Sequence, residues 1–393
     1  TNSDGNWFGV NIPRSVPTIF SFKNNSITSV NTYGYMLQAG DESPLLTNNK
    51  LDGAVITGNK FIWNGTITPS IITHGLFNGY NINSVVRYNY LNKVPYGIIF
   101  KSGTDAGVNM TFTSGGAAYN IVKNGHFAFR MKGINGVKIY NNTIYSDDGN
   151  SWYLIYITEN MDRTIGAPSL GARIFNNIFY TKFKIPNIAI KSECLTDFQS
   201  DYNVYWCEEG DNSPVFAIDK VTKTWAQWQA LGYDKHSVVI NPNFINTTAF
   251  VPAKRLNFGV DLGPIWQSGL STTAVWGITD PQTTEQNGIW QVGAVIYEGT
   301  TGMEVSPDLN DKQNISIYPN PARKFINVSK LEKYSGHQNI GIIDLMGTIC
   351  LDVWLNPGIN NQQIPINLKP GLYIVQTRAG SLIRSVQKLI IVE

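Results

Sequence analysis

The sequence predicts an all-β chain, a right-handed parallel β-helix followed by a small C-terminal β-sandwich. Three observations lead there. The first is a recurring asparagine set among apolar, mostly β-branched or aromatic residues. It occurs in ITGNKF, VVRYNYL, VKIYNNTIY, ARIFNNIFY and SDYNVYW, with AAYNIV as a looser copy. The asparagines Asn59, Asn89, Asn120, Asn142, Asn177 and Asn203 stand 30, 31, 22, 35 and 26 residues apart. A recurrence at roughly 20–50 residues marks a solenoid. Val, Ile, Tyr and Phe favour pleated strands. One buried Asn per coil stacks on the amides above and below and is satisfied by them.

The second observation is a further strand before many Asn strands: YGIIFKSG, HFAFRMKG, WYLIYITEN and NIAIKSE. Each coil therefore holds at least two strands, joined by turns containing Gly or Asn. The third is a change of texture after residue 298. The stretch 299–314 is polar, with Gly, Pro and Asp, and reads as a linker. Residues 315–393 then alternate short strands with turns, about seven in all, as in a small sandwich.

Helical periodicity is nearly absent. TWAQWQALG is the exception, with Trp225, Trp228 and Leu231 at helical spacing and Gly232 to end the turn. It reads as a short helix covering one end or flank of the solenoid, since an open end exposes core and strand edge. Residues 233–298 are irregular and read as a closing coil plus long loops.

Composition narrows the partners. Charged residues make up 15% and the net charge is +2, which argues against nucleic acid. No apolar run reaches the roughly 18 residues of a membrane span. The opening TNSDGNWFG carries no visible signal peptide, so the chain reads as processed or as a fragment. Cys194, Cys207 and Cys350 do not make a disulfide framework, although Cys194 and Cys207 can pair in an oxidising compartment. No CxxC or HxxxH spacing suggests zinc.

Two segments resemble known families. Tyr318-Pro319-Asn320-Pro321-Ala322, Asp344-Leu345-Met346-Gly347, Leu368-Lys369-Pro370-Gly371-Leu372-Tyr373 and Lys388-Leu389-Ile390-Ile391-Val392 fall in the order of the C-terminal sorting domain of the bacterial type IX secretion system. The resemblance implies that residues 315–393 engage that machinery. It also implies export to the surface of a Bacteroidetes-type Gram-negative bacterium or beyond it. An ordinary binding sandwich is the other reading. SDYNVYW, the Trp225–Phe244 segment, LGPIW and WQVGAVIYE resemble, in order, the closing region of β-helix proteins from the same bacteria. Many of those are polysaccharide lyases or lyase-like, but fold does not fix chemistry.

Aligning the second family of strands by their ends brings ionisable residues into one row. Lys101 and Lys132 are 31 apart, Lys132 and Glu159 are 27, Glu159 and Lys191 are 32, and His74 precedes Lys101 by 27. Alternation gives Phe127, Phe129 and Met131 one face and Arg130 and Lys132 the other. Lys191 and Glu193 face out by the same rule, while in WYLIYITEN either Glu159 or Thr158 with Tyr156 faces out. The row is expected to be an exposed ladder suited to an acidic polysaccharide. Its catalytic candidates are Lys101, Arg130 and Lys132. His74, Tyr156, Glu159, Lys191 and Glu193 are candidates for substrate contact.

In β-elimination on a uronide, a base takes the proton beside the carboxylate, whose charge must be neutralised. Two lysines about 5 Å apart on paired strands repel, which favours losing one proton. The arrangement is similar to the chondroitinase B and alginate lyase group, where a Lys and an Arg act beside calcium. Only Glu159, Glu193 and Asp162 stand near enough to serve a calcium ion, so no metal ligand is assigned.

Weaker signals are Asp147-Asp148, as a glycosidase pair or turn formers, and His126, as a turn residue or a base. Trp63, Tyr80, Tyr88, Tyr153 and Tyr156 suit sugar stacking or the core. Three functions compete: a secreted lyase, a glycan- or protein-binding surface protein without catalysis, and an exported cargo with an unrelated ligand. A solvated face with weak ion pairs is the structural alternative for the whole ladder.

Overall fold

The computed structural model describes residues 20–30, 32–40, 51–79, 81–102, 110–160, 167–286, 288–298, 316–329, 338–344, 349–355, 361–379 and 382–392. The linker at 299–314, Tyr80, Asp162 and Leu345-Met346-Gly347 lie outside them. The chain divides into two compact units, Thr1–Glu298 and Gly299–Glu393.

The first unit is a right-handed parallel β-helix with three strands per coil, the hand that parallel crossovers take. A first sheet of seven short strands runs from Ser21–Lys23 to Gln199–Asp201. A second, of eight, runs from Ser26–Ser29 to Val238–Val239. The third also has eight, from Tyr33–Ala39 through Tyr96–Lys101, Phe127–Lys132 and Ile155–Thr158 to Val215–Ile218, with Val221–Thr224 closing it antiparallel.

The first and second sheets each send one file of side chains inward, and the longer strands of the third send two. In the second sheet Phe61, Leu91, Val122, Ile144, Phe179 and Tyr205 stack at successive coils, all buried. Burial of such apolar files at about 25 cal/mol per Å² is the main force holding the coils together.

The Asn ladder runs along the corner between the first and second sheets. Each Asn Oδ1 accepts both the backbone N–H and the side-chain N–H of the Asn one coil before. The acceptors are Asn89 for Asn59, Asn120 for Asn89, Asn142 for Asn120, Asn177 for Asn142 and Asn203 for Asn177, at 2.9–3.1 Å. Each amide also donates to a backbone carbonyl one coil back, as Asn120 does to Val86 O at 2.9 Å. The residue before the ladder Asn turns the corner at positive φ: Gly58, Tyr88, Tyr119, Asn141, Asn176 and Tyr202. Asn and Gly suit that region. Two members escaped the sequence pattern. Asn25 begins the ladder by donating to Asn59 Oδ1 at 3.2 Å. Asp234 ends it.

Val238–Val239 adds one strand to the second sheet. The rest, to residue 298, is a strap lying across the outer side of the ladder corner. Tyr88 and Tyr119 donate their hydroxyls to Ser268 O and Trp266 O, and Asn141 and Asn176 donate to Gln291 O and Val260 O. Asn24 in the first coil donates to Asp280 at 2.8 Å. Tyr88, a sugar-stacking candidate by sequence, is thus a strap anchor, and Trp63 is core.

The short helix is Trp225–Ala230, opened by a capping box of Thr224 and Gln227. It buries Trp228 against Phe216, with ring centroids 4.4 Å apart. Leu231 does not share that face and is 52% exposed, because it is already the residue after the helix.

The second unit is a β-sandwich of three- and four-stranded antiparallel sheets around Ile326, Val328, Ile340, Ile342, Val375 and Leu389. Its first and last motifs meet. Asn320 Oδ1 accepts from Ile390 N–H at 2.9 Å, Asn320 Nδ2 donates to Lys388 O at 2.6 Å, and Ala322 exchanges backbone bonds with Ile390 and Val392. The Tyr-Pro-Asn-Pro-Ala segment thereby covers the edge of the final strand.

Candidate functional site

The strap lies over the corner between the first two sheets, and the outer face of the third carries the sequence candidates. Alternation decides most of it. Leu76, Ile98, Phe129, Ile155 and Ile188 align inward, as do Phe100, Met131, Ile157 and Ile190. Outward between them stand Phe77, Ile99, Arg130 and Tyr156 at successive coils. The next outward row is Gly79, Lys101, Lys132 and Thr158. Lys191 continues it, since its N–H bonds Ile157 O at 3.0 Å.

Lys101 and Lys132 are therefore direct neighbours, with Arg130 two residues before Lys132. The other positions differ from the sequence alignment. Thr158, not Glu159, stands opposite Lys132. His74 stands opposite Tyr96, while Gly79 stands opposite Lys101. The turns differ in length from coil to coil, so near-equal spacing in sequence does not give equal register. Glu193 lies outside the sheet, exposed in the 3-10 turn Ser192–Cys194. Lys191 is half-buried and 3.9 Å from Asp219. The row is not fully exposed either: Lys101 is only 6% accessible, and Arg130 and Lys132 are half-buried.

A second difference concerns Phe127, which alternation groups with Phe129 and Met131. A β-bulge breaks the alternation in successive coils. The N–H groups of His126 and Phe127 both point at Pro95 O, and those of Ala128 and Phe129 both point at Leu154 O. The register passes from Tyr96↔Phe127 to Ile98↔Phe129 without pairing Gly97. The extra residue re-aims the side chain before it. Tyr35, His74, Tyr96, Phe127 and Tyr153 consequently form an outward row, with successive centroids 4.9, 4.9, 5.1 and 6.1 Å apart. A small residue must follow the aromatic. At Gly97 a Cβ would lie 2.4 Å from Ala128 O, and at Gly75 it would press on Val94 and Leu91. The pairs His74-Gly75, Tyr96-Gly97 and Phe127-Ala128 were the available sequence signal.

Arg130 joins the rows, its guanidinium 5.6 Å from the centroids of both Phe127 and Tyr156. Lys101 Nζ lies 5.9 Å from the Phe77 ring. Burial lowers the His74 pKa from 6.5 to about 4, with Arg130 and Lys101 pushing the same way against a 3.4 Å contact to Gly34 O. Burial raises Tyr96 and Tyr156, and Arg130 offsets part of each rise.

The sign of the His74 shift predicts a pH effect. The unfolded chain takes up the proton near pH 6.5 and the folded one only near 4, so stability is full above 6.5 and falls as pH drops through that window. The expected loss is about 2 kcal/mol after discounting for partial exposure. Thermal midpoints of wild type and His74→Gln, measured from pH 7 to 4, should show a shallower slope in the variant.

The remaining candidates are structural. Asp147 exchanges hydrogen bonds with Asn124, and Asp148 accepts from Asn150 N–H at 3.1 Å, as turn formers do. His126 is buried, its Nδ1 2.9 Å from Asn150 O and its Nε2 3.0 Å from Thr68 O. Cys194 and Cys207 are both buried free thiols and do not pair. Burial pushes the Cys194 thiol up to about 11. Among the described residues no three His, Cys, Asp or Glu side chains gather to hold a metal, and none of the helices is long and apolar enough to cross a membrane.

Residues 316–392 match the family described as secretion system C-terminal sorting domain. Neither a curated protein nor a solved structure matches the chain. With the sorting motifs clasped together in its second unit, the chain is a β-helix protein exported by type IX secretion to the cell surface of a Gram-negative bacterium or beyond it.

Proposed function

We propose that the outer face of the third sheet binds an acidic polysaccharide outside the cell. The observation that carries this reading is the direct pairing of Lys101 with Lys132, beside Arg130, along an outward aromatic row. Cations meet carboxylate or sulfate groups, and rings take the apolar faces of sugars. His74 contributes an uncharged ring within the aromatic row. Tyr156 stacks beside Arg130, and Lys191 extends the cationic row. Glu159 and Glu193 stand apart from both rows and are not needed for this reading.

β-Elimination on a uronide is the second reading, favoured by the same lysine pair. Arg130 would neutralise the carboxylate. Lys132, more accessible than Lys101, would as the free amine accept the C5 proton as the C4–O bond breaks and a C4–C5 double bond forms, and the departing oxygen would take its proton from water. Glu159 and Glu193 gather no third metal ligand among the described residues, so neither is assigned to calcium. Binding without cleavage follows if no unsaturated uronate forms.

The test is a panel of alginate, pectin, ulvan and glycosaminoglycans, read by affinity and by the ultraviolet absorbance of unsaturated product. Arg130→Ala and Lys132→Ala should each weaken binding about tenfold at low salt and reduce its salt dependence. Full activity and affinity in both Lys101→Ala and Lys132→Ala, with the fold intact, would remove the assignment.

A further inference from the structure

The turn that leads into the Ile155–Thr158 strand carries a feature that the basic rows do not use. Trp152 is 37% exposed, among the large apolar side chains left to solvent. One face of its indole lies on His126, with centroids 4.2 Å apart and planes 17° apart. His126 is 1% exposed and fixed between the carbonyls of Asn150 and Thr68, on turns of two different coils. The backbone N–H of Trp152 donates to His126 O at 3.0 Å. Ser151 Oγ donates to Gly125 O at 2.6 Å and contacts Ser146 Oγ at 2.8 Å, tying down the same turn. Tyr96 and Phe127 meet the indole edge-on, at 6.3 and 5.4 Å. Among the described residues no ring other than those of His126, Tyr96 and Phe127 packs on the indole.

We propose that Trp152 is a stacking subsite for a pyranose ring of the bound polysaccharide, with His126 as its rigid plinth. This rests on the polysaccharide reading of the third-sheet face and extends it around the corner from the second sheet. Tyr96 and Phe127 belong both to the outward aromatic row and to the setting of the indole, so the surfaces are continuous. An indole held on a buried imidazole, itself packed between two backbone carbonyls, loses little freedom when a sugar lands on it, so most of the stacking energy appears as affinity. The indole carries no charge, so its contribution is independent of salt, unlike that of Arg130 and Lys132. His126 is a positioning residue, acting through Trp152.

The test uses the full chain with oligosaccharides of alginate, pectin, ulvan and chondroitin sulfate. Trp152→Ala should weaken binding about tenfold with an unchanged salt slope, and Trp152→Phe should recover most of the loss. In protein labelled with 5-fluorotryptophan, the fluorine resonance missing from Trp152→Phe should shift on titration of the wild type. Unchanged affinity in Trp152→Ala, or no shift of that resonance while the oligosaccharide binds, overturns the subsite and leaves the polysaccharide reading standing. A wild type that binds none of the four overturns both. If Trp152→Ala fails to fold, the fluorine measurement on the wild type decides.

Discussion

Replacing Asp234 by alanine is expected to destabilise the closing end of the solenoid by about 4 kcal/mol, the range for stripping one partner from a buried charged network. Its carboxylate is fully buried and is the point where the ladder stops. Asn203 Nδ2, the Tyr205 hydroxyl and Ser237 Oγ donate to Oδ1 at 3.0, 3.1 and 2.6 Å. Ser200 Oγ and Trp228 Nε1 donate to Oδ2 at 2.8 and 2.7 Å. Burial pushes this carboxyl up, and its donors pull it back down. Every ladder amide points the same way, so the last one needs an acceptor that offers no donor of its own. Alanine would leave five buried donors without their acceptor. Asp234→Asn, which brings two donors into that shell, should fall between wild type and alanine. Urea unfolding followed through tryptophan fluorescence, to which Trp228 contributes, reads the loss. A midpoint within error of wild type for Asp234→Ala would remove the terminator role.

The second large effect is at Gly97. Gly97→Val is expected to cost about 3 kcal/mol and to disturb the aromatic row at Tyr96, because the clash is with backbone and cannot be relieved by a rotamer change. A Cβ at that position would stand 2.4 Å from Ala128 O and 3.0 Å from Phe127 O. To relieve the contact, the bulge must open or the neighbouring strand must move. Either path takes Tyr96 away from His74 and Phe127. The measurement is a melting curve, paired with polysaccharide affinity. If Gly97→Val melts and binds like wild type, the bulge does not set the row.

The coil period and the ladder were legible because each rests on residues close in sequence. An Asn flanked by β-branched and aromatic residues, preceded by Gly, Tyr or Asn at the corner, is a local signal repeated at every coil. The sorting tail was legible for the same reason, as short motifs in order. The inward files were legible wherever alternation is unbroken, as in Ile98, Phe100, Phe129 and Met131.

What the residues alone could not decide was register and direction. Turns of unequal length placed His74 against Tyr96 and left Glu159 out of the basic row. Whether Phe127 faces in or out depends on two N–H groups sharing one carbonyl of the neighbouring coil, a contact between strands. The partners of Asp234 come from three segments of chain. The strap meets the corner residues across separations as large as 256 positions, between Asn24 and Asp280. The local pattern fixed each strand and its period of two. Only packing coil on coil fixed which atoms oppose one another, because hydrogen-bond register is a property of neighbouring strands and not of either one.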